Sequence, residues 1–424
     1  MNPGQRNGKL RDNGTFDRIN SFVTLKDDEI KKNNLMLNEV IESLIEAMKT
    51  KDDLFKTIYN RIMYTGSHYK GTKVGKPEEF DLDLILKLPV VYDGIKIEDV
   101  KERPGFARII IDSSIKLPGW TKHEKTLNQW LDDEKYINNE KVRRWFEGIV
   151  SKCFSDFERG INKMYLLPSK KEPSVKYNVT SHKSGPAFTL IVQEKNTKFS
   201  VDLVPALEFN KNPPKNITKY STDKPCWHLV PKPSRVGNKA YLDWRYCFST
   251  YERKMLSKYG KYKPVIRQMK KLRDTQNWSS MIPSYYIETL FYHEFASGST
   301  YPWCTNSYIE AFIYMLEQLQ LMCKKKCLKY FWLDHHNLLD GITWDQAHNI
   351  TTRLEKIIKD VKAQPSKLAE YVLTKEEFEQ FEKMQTVKTT QTNPIKINEL
   401  NDLSSMKISN VTNQIPNQST CQLS

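Results

Sequence analysis

An alternation of acidic and apolar side chains at residues 79–88 constrains the fold of this chain more than any other feature. The stretch reads EFDLDLILKL, with an apolar side chain at every second position: Phe80, Leu82, Leu84, Leu86 and Leu88. Because successive side chains of a strand point to opposite faces, the pattern predicts a strand with Glu79, Asp81 and Asp83 on one face. Two carboxylates on one face are suited to sharing divalent metal ions. The solvated face of an edge strand shows the same alternation, so both interpretations stay open on this evidence alone.

A Gly-Ser pair and a third acid strengthen the metal interpretation. Gly66-Ser67 lies twelve residues before Glu79, and such a turn brings a backbone amide and a hydroxyl close to a phosphate. Downstream, the segments GPAFTLIV and FSVDLVPALEF flank a polar turn and predict a β-hairpin in which Asp202 points away from its apolar neighbours. A lone acid on such a strand is costly to bury unless a cation compensates it. Three acids on neighbouring strands beside a phosphate-binding turn are the minimal apparatus for two-metal phosphoryl or nucleotidyl transfer.

These motifs and two further blocks resemble the nucleotidyltransferase pattern of cyclic GMP-AMP synthase and the animal cGAS-like receptors. The first blocks are GS, EFD and VDL in the family's order. WRYCFS at residues 244–249, followed by Glu252, is similar to the family's WRxSFSxxE segment, and PSYYIET at residues 283–289 is similar to its SSYHxKT segment. The resemblance covers roughly residues 30–375.

The resemblance implies a role for each matching residue. Glu79, Asp81 and Asp202 would bind the metals and be catalytic, with Mg²⁺ or Mn²⁺ as the ion, while Asp83 is left as a neighbouring or solvated acid. Gly66 and Ser67 would hold the triphosphate of the donor nucleotide, and Arg245, Ser249 and Glu252 would contact the bases or ribose. Lys263 and Ser284 would contact phosphate, and Tyr285 would stack on a base. A tyrosine ring can stack on any base, although a core aromatic is an equal alternative for Tyr285 on the residues alone.

Two departures from the family pattern bear on the site. Glu288 stands where relatives commonly have Lys, so a phosphate contact at that position is in doubt. Vertebrate cyclic GMP-AMP synthase carries a His-and-Cys zinc insertion after the segment that matches Glu252, whereas here the interval reads RKMLSKYGKY. No zinc is therefore expected there. Cys323 and Cys327 have ligand-like spacing, but the apolar pattern around them indicates a packed amphipathic helix.

Composition favours a globular protein that contacts a polyanion. The 424 residues carry a formal net charge of +15, a pI near 9.2 and 39% hydrophobic residues. Such an excess of positive charge is typical of a nucleic-acid-binding surface rather than of a site for nucleotides alone. The seven cysteines, without regular spacing or a secretory leader, indicate reduced thiols and a cytoplasmic protein. No apolar run approaches the length of a membrane span, so no membrane partner is expected.

The positive charge is concentrated between Arg253 and Arg273, where nine basic residues occur without an acidic one. Without a base-reading motif, such a run suits sequence-independent contact with phosphates or with the 2′-hydroxyls of an RNA duplex. A solvated basic face is the alternative. The residues assigned to nucleic-acid binding are Arg253, Lys254, Lys258, Lys261, Arg267, Lys270, Lys271 and Arg273.

The expected fold class is α/β (α+β): a bilobed nucleotidyltransferase fold with a twisted mixed sheet and a spine helix in the N-lobe and a helical C-lobe. An apolar stripe from about Asp28 to Arg61 predicts the spine as a long helix or a broken pair. The expected divisions are a flexible N-terminus at 1–27, a core lobe at 28–215, a helical C-lobe at 216–380 and a disordered tail at 381–424.

The resemblance implies a synthase that makes a cyclic GMP-AMP type messenger from ATP and GTP for a downstream cyclic dinucleotide receptor in antiviral immunity. The absent zinc insertion and the basic run favour the insect-type receptors and long double-stranded RNA as activator. DNA or a small ligand as the trigger, an oligoadenylate-synthase-like polymerase and a catalytically inactive scaffold remain the alternatives. The intact acids count against the scaffold, and the WRYCFS and SYYIET blocks count against the polymerase.

Overall fold

The computed structural model describes most of the chain. The described residues are 13–24, 27–76, 78–161, 164–172, 174–184, 187–210, 217, 226–232, 239–297 and 307–391. By contact density the chain divides into two compact units, 1–381 and 382–424. The site and the elements that position it belong to the first unit.

Fourteen α-helices occur within the described residues. They are α1 (Gly14–Val23), α2 (Asp27–Lys51), α3 (Asp53–Ile58), α4 (Gly66–Lys70), α5 (Pro118–Lys122), α6 (Glu124–Gln129), α7 (Asn139–Phe154), α8 (Ser249–Lys258), α9 (Lys263–Thr275), α10 (Ser284–Ala296), α11 (Tyr308–Lys325), α12 (Trp344–Ala363), α13 (Leu368–Val372) and α14 (Lys375–Gln391).

In the part of the chain that the structure describes, eleven strands form one sheet and two more form a separate hairpin. The strands are β1 (Tyr59–Thr65), β2 (Glu79–Leu86), β3 (Lys96–Asp99), β4 (Phe106–Ile110), β5 (Glu158–Arg159), β6 (Tyr165–Pro168), β7 (Lys176–Ser184), β8 (Ala187–Glu194), β9 (Thr197–Phe209), β10 (Trp227–Val230), β11 (Trp244–Cys247), β12 (Lys329–Tyr330) and β13 (Leu333–Asn337).

The large sheet is mixed. Its main path runs β3-β4-β11-β10-β9-β8-β7-β6-β5, and β2 joins both β1 and β9. The β2–β9 pair is parallel and the other pairs are antiparallel. The β8–β9 hairpin confirms the hairpin that the sequence predicts, and the mixed sheet with its helices confirms the fold class.

The spine predicted from the apolar stripe is a broken pair of helices. Helix α2 ends at Lys51, and α3 starts after Asp52, whose carboxylate accepts a hydrogen bond from the Phe55 amide at 2.7 Å. This cap restarts the helix in a new direction, because an N-cap residue has a non-helical backbone. The second helix ends at Ile58, and β1 begins at the next residue, so the spine leads directly into the site's first strand.

The expectation of a flexible segment at 1–27 is wrong for residues 14–23, which form α1. Phe16, Ile19 and Val23 recur on one helical face and are fully or almost fully buried. The side-chain amide of Gln268 on α9 donates to the Phe16 carbonyl at 2.8 Å. Three apolar residues at helical spacing therefore dock this helix despite its polar neighbours.

The sheet continues past the expected lobe boundary at 215/216. Strands β10 and β11 lie after that boundary and pair with β9 and β4. Trp227, although it lies in a proline-rich stretch, is a buried strand residue. From α8 onward the described chain is mainly helical, as expected. The division at 215/216 itself stays a prediction.

The tail from 381 onward was expected to be disordered. Helix α14 reaches Gln391, so eleven residues of that tail are helical, and residues 392–424 lie outside the described residues. Among the described helices, none is both long enough and apolar enough to cross a membrane.

Candidate active site

The parallel pairing of β2 with β9 brings two of the three acids together. Asp81 and Asp202 are directly opposite each other in the register, and Glu79 is opposite Ser200. Phe80 and Val201, the residues between them, are fully buried in the core on the other face. The acids therefore share the face away from the core, as the alternation predicts, and the solvated-edge alternative fails for β2 because strands flank it on both sides.

The carboxylates influence each other electrostatically. Burial, together with the Glu79 and Asp202 carboxylates, raises the pKa of Asp81 to about 6. Thr189 donates a hydrogen bond to Asp202 at 2.6 Å, which orients that carboxylate. Glu79 is turned toward Lys73, with its carboxylate 3.0 Å from the lysine ammonium.

The donor set fits a hard divalent cation, because it consists of carboxylate oxygens that repel one another until a cation neutralises them. In the described part of the chain, no three His, Cys, Asp or Glu side chains are already arranged to hold one ion. Glu79 is the member that is turned aside.

Gly66 fits closely against Asp81. Its φ is +71°, and a Cβ placed on it would lie 2.8 Å from the Asp81 carboxylate carbon and closer still to an oxygen. Only glycine satisfies both the left-handed backbone and this close approach. The turn thus places Ser67, the next residue, beside the acid pair. The Ser67 hydroxyl has no hydrogen-bond partner among the described residues, while its carbonyl accepts from the Thr72 amide at 2.9 Å.

We call the Gly66-Ser67 turn together with α4 the phosphate turn. Lys263 lies at its C-terminal end, beside Gly71. Its Nζ would be 3.3 Å from a Cβ on Gly71, the residue that ends α4 in a left-handed conformation. Burial and the nearby Arg267 lower the pKa of Lys263. A cation held at this position suits a phosphate contact, as the resemblance implies.

A buried ion network joins the phosphate turn to the helices that follow the sheet. The ammonium of Lys70, the last residue of α4, lies 2.7 Å from Glu252 and 2.8 Å from Glu288. Glu288 also accepts from Lys270 and from the hydroxyl of Thr72. The network therefore holds two ammonium groups and two carboxylates away from water, a balance that buried charges need.

This network explains the departure at Glu288 and changes the role expected for Glu252. Glu288 is 3% exposed and neutralises Lys70 and Lys270, which hold its pKa well below the usual range against the opposing effect of burial. Glu252 is 5% exposed and accepts from the Tyr285 hydroxyl at 2.7 Å as well as from Lys70. In this conformation Glu252 positions Tyr285 at the cavity wall, so a direct contact with a base or ribose stays a prediction.

A cavity of about 260 Å³ lies between the sheet and the helices, and Asp83, two residues from Asp81 on β2, lines it. Arg245, Ser249 and Tyr285 line it, so the structure brings together the base and ribose contacts that the resemblance implies. A second cavity, of about 380 Å³, shares Arg245 and Tyr285 with the first and also includes Tyr286 and His336. Tyr285 forms part of both walls rather than packing only in the core.

Sequence reasoning missed Lys232, which lines both cavities. The adjacent Arg245 and burial lower the pKa of Lys232 to about 8. Neither cation has an ion-pair partner among the described residues, so the pair attracts a negative group. Lys232 follows β10 within a proline-rich stretch, and only the sheet pairing of β10 with β11 brings it near Arg245.

Asp83 is buried rather than solvated. It is 7% exposed and lines the first cavity, and the Cys247 thiol is 3.8 Å from its carboxylate. Burial and the Asp81 carboxylate raise the pKa of Asp83 to about 7. Cys247 stands where the family segment has serine, and burial and Asp83 raise its pKa to about 12.

Two serines of the motifs have different surroundings. Ser249 is 8% exposed and lies 3.4 Å from the Cys247 sulfur at the cavity wall. Ser284 accepts a hydrogen bond from Arg273 at 2.6 Å, so its hydroxyl oxygen already has a cationic partner. A phosphate at Ser284 would therefore be shared with Arg273.

The basic run divides into an exposed part and an interior part. Lys254, Lys258 and Lys261 are exposed. Lys254 and Lys258 are four apart on α8 and so lie on one helical face. Arg253 is half-buried and donates to the Tyr64 carbonyl. We call Lys254, Lys258 and Lys261 the exposed lysine face.

The other four residues assigned to nucleic-acid binding point inward or are paired, and this corrects their assignment in the present conformation. Lys270 is 2% exposed inside the buried network, and Arg273 is 9% exposed against Ser284 and Asp274. Arg267 donates to the Gly71 carbonyl at 2.8 Å. Lys271 pairs with Glu377 at 2.7 Å.

Among the described residues, Cys323 and Cys327 do not form a ligand set with neighbouring His, Cys, Asp or Glu side chains. Cys323 is fully buried within the helix packing, and burial raises its pKa to about 12. Cys327 lies beyond the helix end at Lys326, which has a left-handed backbone. The helix predicted around Cys323 is confirmed, whereas the absence of zinc stays a prediction.

Two family models match the chain in consecutive ranges. Residues 68–258 match the Mab-21 protein nucleotidyltransferase domain, and residues 261–356 match the Mab-21 protein HhH/H2TH-like domain. The three acids and α8 lie within the first range, whereas Tyr285 and Tyr330 of the cavity wall lie within the second. The chain thus carries a nucleotidyltransferase domain followed by the C-terminal domain of the same family.

Curated relatives specify the branch. A protein of Microplitis demolitor named cyclic GMP-AMP synthase-like receptor is 47% identical, over 89% of this chain and 71% of the relative. A protein of Trichogramma pretiosum with the same name is 37% identical, over 87% of this chain and 77% of the relative. A third, from Aethina tumida, is 33% identical over 84% and 90%. The chain belongs to the cyclic GMP-AMP synthase-like receptor family of Mab-21 nucleotidyltransferases.

Proposed function

We propose that this protein is a nucleic-acid-activated synthase that joins ATP and GTP into a cyclic GMP-AMP type dinucleotide with Mg²⁺ or Mn²⁺. The observation that carries the proposal is the direct pairing of Asp81 with Asp202, beside the Gly66-Ser67 turn and next to the cavity. A phosphate turn, a carboxylate pair and a ring-sized cavity in one place are the parts that nucleotidyl transfer requires.

In the proposed mechanism, Glu79, Asp81 and Asp202 would hold the metal ions. When bound, divalent ions neutralise the phosphates and lower the pKa of the attacking hydroxyl. Asp202, oriented by Thr189, faces the hydroxyl that attacks. Glu79 joins the set by leaving Lys73, whose ammonium is then available to the triphosphate.

The nucleotides would occupy the cavity and its neighbour. Ser67 and Lys263 lie at the two ends of α4 and would hold the donor phosphates. Arg245 and Lys232 would meet negative charge on the nucleotides, and the Tyr285 ring would stack on a base. A preorganised set of cations at the reacting phosphates is the main source of rate enhancement in this chemistry.

Long double-stranded RNA is the proposed activator, and the exposed lysine face is its proposed contact. Lys258 lies on α8, the helix that also carries Glu252 of the buried network. A polyanion on α8 therefore acts on an element that is bonded directly to Lys70 of the phosphate turn. DNA as the activator would use the same charges, and the experiment below separates the two.

The cellular role follows from the family. As in the sequence-based expectation, the messenger would be made in the cytoplasm in response to viral RNA and would act on a downstream cyclic dinucleotide receptor. The retained acids support an enzyme over an inactive scaffold, and the exposed lysines support a nucleic-acid trigger over a small ligand.

The test is to incubate the purified protein with all four labelled ribonucleotides and Mn²⁺, with duplex RNA, duplex DNA or neither, and to resolve the products. We expect a cyclic dinucleotide containing adenine and guanine only when RNA is present. No product under any condition would contradict the enzyme, and a product with DNA but not with RNA would contradict the activator. Linear oligoadenylates would favour the polymerase alternative.

A further inference from the structure

Asp83 is a buried titratable side chain at the cavity that the proposed mechanism does not use. It lies on the same face of β2 as Asp81, two residues further along the strand. In the register it is opposite Met63 on β1 and Val204 on β9. Val204 and Val230 line the cavity with it, and the cations Lys232 and Arg245 lie in the same wall.

The protein supplies this carboxylate with only a weak donor. Among the described residues, the single hydrogen-bond donor to Asp83 is the Cys247 thiol, at 3.8 Å. Other buried carboxylates of the chain have strong donors. Glu288 accepts from two lysines, and Asp243 accepts from two arginines. Since buried carboxylates are normally hydrogen-bonded, Asp83 is suited to receive donors from a molecule in the cavity.

The walls around Asp83 define the shape of that molecule. Phe248, Tyr285 and Tyr330 line the same cavity, and the rings of the two tyrosines are 6.1 Å apart between centroids. The same cavity also contains Lys232, Arg245 and Glu252, and Glu252 is already bonded to Lys70 and Tyr285. Aromatic walls, cations for phosphate and a carboxylate without a strong donor accommodate a nucleotide whose base presents N–H donors at its edge. The two oxygens of a carboxylate are placed to accept two such bonds side by side.

We infer that Asp83 selects guanine, by accepting the N1–H and N2–H of the base of the nucleotide that enters this cavity. The inference rests on the proposed function and assigns base selectivity to a residue outside the catalytic set. Guanine presents two adjacent donors on its Watson–Crick edge. Adenine presents a donor beside an acceptor, and the acceptor would face the carboxylate oxygens. Uracil and cytosine each present a single N–H-bearing position beside carbonyl or ring acceptors.

Nucleotide analogues test this contact on the unmodified protein. Inosine triphosphate lacks the 2-amino group, and N1-methyl-GTP lacks the N1–H. We expect each to be incorporated about 10- to 100-fold less efficiently than GTP, since each loses one bond to a charged acceptor. 7-Deaza-GTP keeps both donors and should match GTP. Incorporation of inosine triphosphate as efficient as that of GTP would overturn the inference.

The Asp83→Asn variant then assigns the effect to this side chain. An amide offers one acceptor, so the preference for GTP over inosine triphosphate should fall to near one. A matched control is Glu39→Gln, which alters a carboxylate that is equally buried, 6% exposed, but bonded to Ser169 and Tyr177 outside the cavity. The control should keep the full preference.

The outcomes separate this inference from the proposed function. Wild-type protein that makes no dinucleotide contradicts the proposed function, and calorimetric binding of GTP against inosine triphosphate then still tests Asp83. An active wild type whose preference survives in Asp83→Asn contradicts the inference alone. If the variant does not fold, the analogue series on the wild type decides.

Discussion

Lys70 and Glu288 form a buried ion pair 2.8 Å long between the phosphate turn and α10. Both residues are less than a tenth exposed, and Glu252 and Lys270 complete the network around them. The phosphate turn is thus held in place by charges from α8, α9 and α10. The position of the phosphate turn therefore depends on the packing of these three helices.

Removing one charge from this network should lower the free energy of unfolding more, per charge removed, than removing one positive and one negative charge together. Glu288→Gln leaves two ammonium groups facing one carboxylate, and we expect the free energy of unfolding to fall by about 3–5 kcal/mol. The Lys270→Met and Glu288→Gln changes together restore the balance and should cost less than the sum of the two single changes. Urea denaturation of the wild type, the two single variants and the double variant measures these differences. Strict additivity would show that Lys270 and Glu288 are not coupled.

Metal binding should stabilise the protein through Asp202. Since Asp81 and Asp202 repel each other, Mn²⁺ at a hundredfold excess over its Kd should raise the free energy of unfolding by about 2.7 kcal/mol. Asp202→Asn should abolish most of this stabilisation together with product formation, while RNA affinity is retained. Thermal melts with and without Mn²⁺ measure the effect.

Asp133→Asn, a change at an exposed acid outside the site, is the matched control for Asp202→Asn. It should melt and respond to Mn²⁺ as the wild type does. An Asp202→Asn protein that Mn²⁺ still stabilises fully would place the ion elsewhere.

Neutralising the exposed lysine face should weaken RNA binding. Each lysine that contacts a phosphate releases a counterion, so changing Lys254, Lys258 and Lys261 to Gln should lower the slope of log affinity against log salt by about one per lost contact. Duplex RNA titrations at several salt concentrations give this slope.

The same three-charge change on α12, at Lys356, Lys359 and Lys362, is the control, because these lysines are also exposed. An equal loss of affinity in both triple variants would indicate a general charge effect rather than a binding face. Charge reversal at Lys270 is not a suitable test, because Lys270 is buried and its reversal would disrupt the fold.

Acid should remove the stabilisation provided by Glu208 at the far end of β9. Burial alone would raise the pKa of Glu208, but bonds from His228 and Arg61 outweigh it and lower the pKa to about 2. A depressed carboxylate pKa stabilises the folded state above the unfolded value near 4.5, and the effect is lost as pH falls toward 2. Because Arg61 is partly exposed to solvent, its effect is discounted. Ionised Glu208 then contributes about 2–3 kcal/mol to the free energy of unfolding.

Glu208→Gln should therefore be less stable than the wild type by that amount at pH 7, and the difference should shrink between pH 4.5 and 2. Urea denaturation at a series of pH values measures the difference. A constant difference down to pH 2.5 would show that ionisation of Glu208 is not its source.

Local patterns in the sequence were sufficient for the strands that carry the acids. The alternation around Asp81 and Asp202 requires only the two-residue period of a strand, and the structure has both strands. The parallel pairing that joins them was not predictable in the same way, because it depends on residues far apart in the chain. The family resemblance supplied that information instead.

The inward orientation of Lys270 and Arg273 could have been predicted from helical periodicity. Ile266 and Met269 are buried on α9, and Lys270 and Arg273 follow them at a spacing of four. They therefore lie on the apolar face of the helix, whereas a count of positive charges treats them as surface residues. Their anionic partner Glu288 lies on the next helix, so its identity required the tertiary structure.

Because β2 and β9 pair in a parallel register, Asp81 and Asp202 come together only when the sheet has folded completely. Asp81 is synthesised more than a hundred residues before Asp202, and the two meet only when β9 docks beside β2. A shift of the register by one residue would replace Asp202 with a core residue opposite Asp81. Nascent or slipped chains therefore lack the acid pair, so any activity that requires the pair is confined to correctly folded molecules.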